Sequence, residues 1–274
     1  MRRAALLLLL AAFNAHAVVI RDDVPDRQHR IAVSAFPALA DLPGEGHGVL
    51  IAPQWVVTAA HAVSWQQAPE VVVVGGTPRA VRRVVAHPGF KPPPQAMVEA
   101  ALASGDWDEF FAFLETSDDI ALIELAEPAA DVAPVRIHGG ETLGKTVRIM
   151  GRGATGKGSE GHALQAPRRT DLRQGYNRIT HAEGRWIGYR FDAPPHALPL
   201  EASMGSGDSG GPILVAAGKD WELAGIAAWK RGIVVGTDVF PGRYGETSYG
   251  VRLAHYADWI DEVIATRSGA AADR

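Results

Sequence analysis

Gly207-Asp208-Ser209-Gly210-Gly211-Pro212 sets one serine inside a glycine-rich turn, directly ahead of the apolar run Ile213-Leu214-Val215. Glycines on both sides let the backbone turn tightly and approach another atom closely. Two earlier stretches give this turn its meaning. Trp55-Val56-Val57-Thr58-Ala59-Ala60-His61 carries a histidine off the end of a β-type run, and Asp118-Asp119-Ile120-Ala121-Leu122 carries a carboxylate into another. A serine hydroxyl is a weak nucleophile at neutral pH unless a base lies within hydrogen-bond reach and a third group fixes the tautomer of that base. Ser209 is the candidate nucleophile, His61 the base and Asp119 the orienting carboxylate. Asp119 is preferred to Asp118 because it abuts the Ile-Ala-Leu run, at the mouth of a buried strand. Attack by a hydroxyl creates a negative oxygen, and the backbone N–H groups of Gly207 and Ser209 would donate hydrogen bonds to it.

The remaining pattern is β-type. Residues 48–51, 55–58, 71–74, 81–85, 120–125, 146–150, 213–215, 223–229 and 248–253 are short, rich in Val and Ile, and divided by Gly and Pro turns. Such spacing predicts an all-β barrel or sandwich. After Leu253, Tyr256, Trp259, Ile260, Val263 and Ile264 recur at helical spacing and predict a terminal helix. Residues 91–117 open on Pro92-Pro93-Pro94 and contain stretches able to form helical turns, so they read as an insertion. Residues 152–185 are rich in Gly, Arg and Thr, lack clear periodicity, and read as a long loop.

These motifs, in this order, resemble the chymotrypsin/trypsin family of serine proteases. Val84 to Phe90, with its His-Pro-Gly-Phe, and Gly225-Ile226-Ala227-Ala228-Trp229 extend the resemblance. It implies two packed six-stranded antiparallel β-barrels with a C-terminal α-helix, the first over 18–135, the second with the helix over 136–266, and a frayed tail over 267–274. It also implies an endopeptidase acting on polypeptide through an acyl-enzyme, with no cofactor. A binding module on the same fold, or an esterase using the same residues, are the alternatives. In the family, the residue six before the serine forms the floor of the specificity pocket. Here that is Ser203 rather than Asp, which disfavours Lys or Arg preference. Met204, Ser206, Trp229 and Lys230 would complete the pocket, and Lys230 would either narrow it or attract an acidic side chain. The family's activation ion pair would join a new N-terminus at Val18 to Asp208, although Ile20-Arg21 stands where the family carries Gly-Gly.

Composition sets the compartment. Met1-Arg2-Arg3, the apolar run Ala4 to Phe13 and Ala15-His16-Ala17 read as a secretory signal peptide cleaved after Ala17. The run is too short to span a bilayer, which needs about 20 residues, so no stable membrane insertion is expected. The net charge is −4, and no basic stripe suggests nucleic acid. The chain has no cysteine, so an exported protein here forgoes disulfides and thiolate chemistry. Gly151-Arg152-Gly153-Ala154-Thr155-Gly156 matches a dinucleotide fingerprint, but loop follows it where that motif requires a helix. His162, His181 and His196 lack metal-ligand spacing, so no metal site is expected. Arg168-Arg169 reads as a solvated pair.

Overall fold

The computed structural model describes residues 18–64, 68–163, 171–235 and 238–272. The leader, residues 1–17, and Arg168-Arg169 lie outside them. The described chain starts buried, with strand β1 (Val19–Ile20). A first closed barrel follows: β2 (Leu39–Asp41), β3 (His47–Ala52), β4 (Trp55–Thr58), β5 (Val71–Val74), β6 (Thr77–Ala86) and β7 (Ala121–Leu125), closed in the order β2-β3-β4-β7-β6-β5. Short helix α1 (Ala60–Ser64) leaves β4, and helices α2 (Gln95–Ser104) and α3 (Asp108–Glu115) fill the connection from β6 to β7.

The second barrel contains β8 (Thr146–Gly151), β9 (Arg173–Glu183) and β10 (Trp186–Arg190). After β11 (Ala202–Ser203), which pairs back with β1, come β12 (Pro212–Ala217) and β13 (Asp220–Arg231). A hairpin of β14 (Ile233–Val235) and β15 (Asp238–Phe240) precedes β16 (Thr247–Arg252), and the barrel closes as β10-β16-β13-β12-β8-β9. Helix α4 (Ala257–Ala272) ends the described chain. It runs into the segment expected to fray, where Ala270, Ala271 and Ala272 supply high helix propensity.

The apolar strands behave as their sequences demand. β4 and β7 are buried along their whole lengths, and their antiparallel register sets Val57 against Leu122. Much of the loop expected over 152–185 is instead β9, an eleven-residue strand. Its burial alternates, but the inward positions are Arg173, Gly175, Asn177 and Ile179. A polar inner face hides the period-2 signal from which strands are read. Arg173 is fully buried and paired with Asp26 at 2.6 Å, and Asn177 donates to the Ala202 carbonyl at 3.0 Å.

The insertion docks on the second barrel. Phe111 of α3 stacks on Trp229 at 5.9 Å, and Tyr249 stacks on Trp229 at 4.1 Å. Asp108 bridges Arg231 at 2.5 Å, and Trp186 Nε1 donates to the Glu115 carbonyl at 3.0 Å. One apolar cluster thus runs from the first barrel through Phe111, Trp186 and Trp229 to Tyr256 and Ile260. The two barrels meet over packed aromatic surface, where burial is worth roughly 25 cal/mol per Å².

Candidate active site

Each barrel brings part of the site to their junction. His61 sits in α1, immediately beyond β4, and Asp119 lies two residues before β7, the strand paired with β4. Strand pairing therefore brings residues 58 apart in sequence into contact. His61 Nδ1 lies 2.6 Å from Asp119 Oδ2, and the His61 backbone N–H donates to Asp119 Oδ1 at 2.8 Å. Ser209 belongs to the turn before β12. Its Oγ lies 2.7 Å from His61 Nε2. With Nδ1–H donating to the carboxylate, Nε2 presents its lone pair to the hydroxyl, which is the tautomer a general base requires. Burial by itself pushes the His61 imidazolium down. The charge of Asp119, its hydrogen bond and the nearby Glu45 together outweigh burial, so the net shift is upward.

Asp118 is engaged elsewhere. It accepts from Tyr256 Oη at 2.7 Å and pairs with Arg185 at 2.9 Å. It ties the end of the insertion to the second barrel, while its neighbour Asp119 faces the histidine.

The serine turn is clamped by the first barrel. His47 N–H donates to the Ser209 carbonyl at 2.7 Å, and Gly46 N–H to the Gly207 carbonyl at 3.2 Å. Gly210 has φ 75°, and a Cβ there would lie 2.0 Å from the His47 carbonyl oxygen. Only glycine fits that position. The Gly207 and Ser209 N–H groups have no protein acceptor among the described residues, and both residues line a cleft of about 570 Å³ shared with His61. Such free donors suit a developing oxyanion.

The structure brings most of the expected pocket residues together. Met204, Ser206, Trp229 and Lys230 line the cleft. Ser203 does not. It is fully buried in β11, with its Oγ 2.9 Å from that of Ser248. Ala228 occupies a β-bulge in β13, where the register shifts between Ala227 and Trp229. Bulges re-aim side chains beside sites of this kind.

Asp208 is buried beneath the turn. Its carboxylate accepts from Gly153 N–H and Gly205 N–H, both at 2.7 Å. Burial pushes this carboxyl up, against the neighbouring His47, those two bonds and the charge of Lys230. Val18 and Asp208 wall the same small cavity, and the Val18 carbonyl accepts from Thr155 Oγ1 at 2.7 Å. The fingerprint-like glycines serve this carboxylate. A Cβ at Gly151 would lie 2.0 Å from Asp208 Oδ1, and one at Gly153 would lie 2.6 Å from the Ser206 carbonyl oxygen.

Several residues beside the site carry no local sequence signal, because their partners come from distant strands. His47 Nδ1 faces Asp41 at 3.1 Å, and its Nε2 accepts from Arg152 N–H at 3.0 Å, 3.8 Å from Asp208. His162, Glu246 and Ser248 gather around Lys230 and Ser203 in the same way. Among the described residues no group of acidic and histidine side chains is arranged to hold a metal ion, and no helix is long and apolar enough to cross a membrane.

Comparison with known proteins agrees with this architecture. The sequence model of the family described as Trypsin matches residues 27–260. Human granzyme M is 25% identical over 249 residues, covering 83% of this chain and 84% of that one. Among solved structures, neuropsin, a serine protease expressed in the limbic system of mouse brain, superposes with a TM-score of 0.62 at 19% identity. That match covers 86% of this chain and 98% of neuropsin.

Proposed function

Because the chain belongs to the trypsin family and is a serine-type endopeptidase, we propose that Ser209, His61 and Asp119 carry its chemistry through an acyl-enzyme. His61 Nε2 takes the Ser209 proton as Oγ attacks the scissile carbonyl. The developing oxyanion meets the Gly207 and Ser209 N–H groups. The imidazolium then gives its proton to the leaving amine, and water releases the acyl group by the same steps in reverse. The contact that carries this reading is the 2.7 Å approach of Ser209 Oγ to His61 Nε2, with the Asp119 carboxylate behind it and unused amide donors in front.

The protein is exported in this reading, its leader removed after Ala17. The new Val18 ammonium would enter the cavity it shares with Asp208 and offset the cost of that buried carboxylate. Val18 holds φ 63°, an unfavourable region for a β-branched residue. Cleaving the preceding peptide bond removes that constraint. The pocket does not favour Lys or Arg. Glu45, the carboxylate that lines the cleft, comes from the first barrel, and the Lys230 ammonium lies beside Met204 where a basic side chain would have to enter.

Digestion of a denatured proteome with the purified mature protein, with sequencing of the product termini, tests this function. New termini made by the wild type and absent with Ser209→Ala support it. Equal digestion by both proteins contradicts it. A loss of about a million-fold in turnover is expected for Ser209→Ala, the scale seen when a serine nucleophile is removed from another fold.

A further inference from the structure

Lys230 follows Trp229 on the strand that edges the cleft, yet its charge is turned inward. Its side chain is only 11% exposed. The ammonium donates to the Met204 carbonyl at 3.1 Å, reaches His162 Nε2 at 3.2 Å and pairs with Glu246 Oε1 at 3.5 Å. Two of the ammonium's three N–H donors thus meet hydrogen-bond acceptors, and the Glu246 carboxylate lies at ion-pair distance.

Those partners are themselves fixed. His162 Nδ1 lies 3.1 Å from the Ala163 carbonyl, so Nδ1 carries the hydrogen and Nε2 offers a lone pair to the lysine. Glu246 is fully buried, and its other oxygen accepts from Gly242 N–H at 2.7 Å. Without Lys230 that carboxylate would be buried without a cation, a costly state. Lys230 lines both the cleft and a second hollow of about 160 Å³, walled by Trp107, Phe110 and Phe111. Ser203, next to Met204 in the chain, and Ser248, paired with Lys230 across β13 and β16, bond to each other with no exposed surface.

We infer that Lys230 is a strut across the pocket beside Ser209, ending it short of Ser203 and restricting the residue before the scissile bond to a small, uncharged side chain. This rests on the protease reading above. Lys and Arg meet an ammonium of their own sign. An acidic side chain would have to take donors from Met204 and His162 beside the buried Glu246 carboxylate. A large aromatic side chain finds the space beneath Met204 already filled by the serine pair. Lys230 is thus a specificity-determining residue that works by occupying space and holding the Met204 segment to β13.

The test is kcat/KM for fluorogenic peptides differing only at that position, with Ala, Phe, Lys and Glu, together with Ser209 labelling by a fluorophosphonate. The wild type should favour Ala by about tenfold or more, since one misfitting methylene in a pocket already changes rate by about 10–200-fold. Lys230→Gly combined with Glu246→Gln opens the pocket without stranding a charge, and its preference for Ala over Phe should fall below about threefold, well under that methylene effect. Lys230→Met with Glu246→Gln keeps the stem and should keep rejecting Phe. Labelled wild-type enzyme that cleaves the Phe, Lys or Glu peptide as fast as the Ala peptide overturns the strut and leaves the protease reading intact. The same holds if the opened variant labels normally and keeps the wild-type ranking. Failure to cleave any peptide, with no labelling of Ser209, overturns both.

Discussion

Replacing Asp119 by Asn changes one atom of the carboxylate and leaves its shape. Both carboxylate oxygens of Asp119 accept hydrogen bonds, Oδ1 from the His61 backbone at 2.8 Å and Oδ2 at 2.6 Å from Nδ1. Asparagine has one acceptor and one donor group in their place. If its NH2 faced the His61 amide, two donors would oppose each other across the present 2.8 Å contact and strand a buried N–H, costing about 1–3 kcal/mol. The amide oxygen therefore takes the backbone bond, and the NH2 points at Nδ1. Nδ1 must then accept, which forces the imidazole hydrogen onto Nε2, facing Ser209 Oγ. A base in that tautomer cannot take the serine proton. The same substitution in the trypsin-type triad costs about 10⁴ in kcat, or about 5.5 kcal/mol at about 1.36 kcal/mol per tenfold. We expect kcat on a peptide substrate to fall by about 10⁴, with KM and the melting temperature nearly unchanged. A folded Asp119→Asn variant retaining activity within about tenfold of wild type, against that expected loss, would refute the assignment of Asp119 as the orienting group.

Other outcomes follow from the same contacts. Because Asp119 and Glu45 hold the His61 pKa above its ordinary value of about 6.5, the acid limb of kcat/KM should have its midpoint above about 6.5, with activity lost as pH falls through it; a midpoint well below about 6 in a pH–rate profile would contradict the electrostatics. Phe111→Ala removes the ring between α3 and Trp229 and should cost about 3 kcal/mol in urea unfolding while raising KM more than it lowers kcat; an unchanged KM would separate the insertion from the cleft. A mature form with one extra residue before Val18 should lose at least about tenfold in activity, and the native form should lose activity at alkaline pH as an amine titrating above its ordinary value of about 8 is neutralised. Equal activity of the two forms, measured side by side, would remove the role proposed for the Val18 ammonium.

The β-barrel class was readable where a strand buries both faces in mostly apolar side chains, as β4 and β7 do, and where Val alternates inward and outward, as in β5. β9 escaped because its inward residues include Arg173 and Asn177, whose polarity is offset by Asp26 and the Ala202 carbonyl. Such compensation is three-dimensional and leaves no period in the chain. β2 has only three residues, too few to establish alternation. The motifs around His61, Asp119 and Ser209 were legible because turn and strand chemistry is local: Gly210 has to be glycine beneath the His47 carbonyl, and Asp119 has to precede a buried run. The surroundings of Asp208 and Lys230 were not. His47, Arg152, His162 and Glu246 reach them from separate strands and loops, and only closure of the barrels makes them neighbours. Ser203 was expected at the floor of the pocket, but it lies buried away from the cleft against Ser248, 45 positions away, a contact no local pattern announces.

The central claim is that the first barrel's imidazole activates the second barrel's serine. Treating the mature protein with a fluorophosphonate and mapping the adduct by peptide mass spectrometry tests it directly. The geometry predicts one stoichiometric adduct on the peptide containing Ser209, lost in His61→Ala. No adduct, an adduct on another serine, or full labelling of the His61→Ala protein would contradict it.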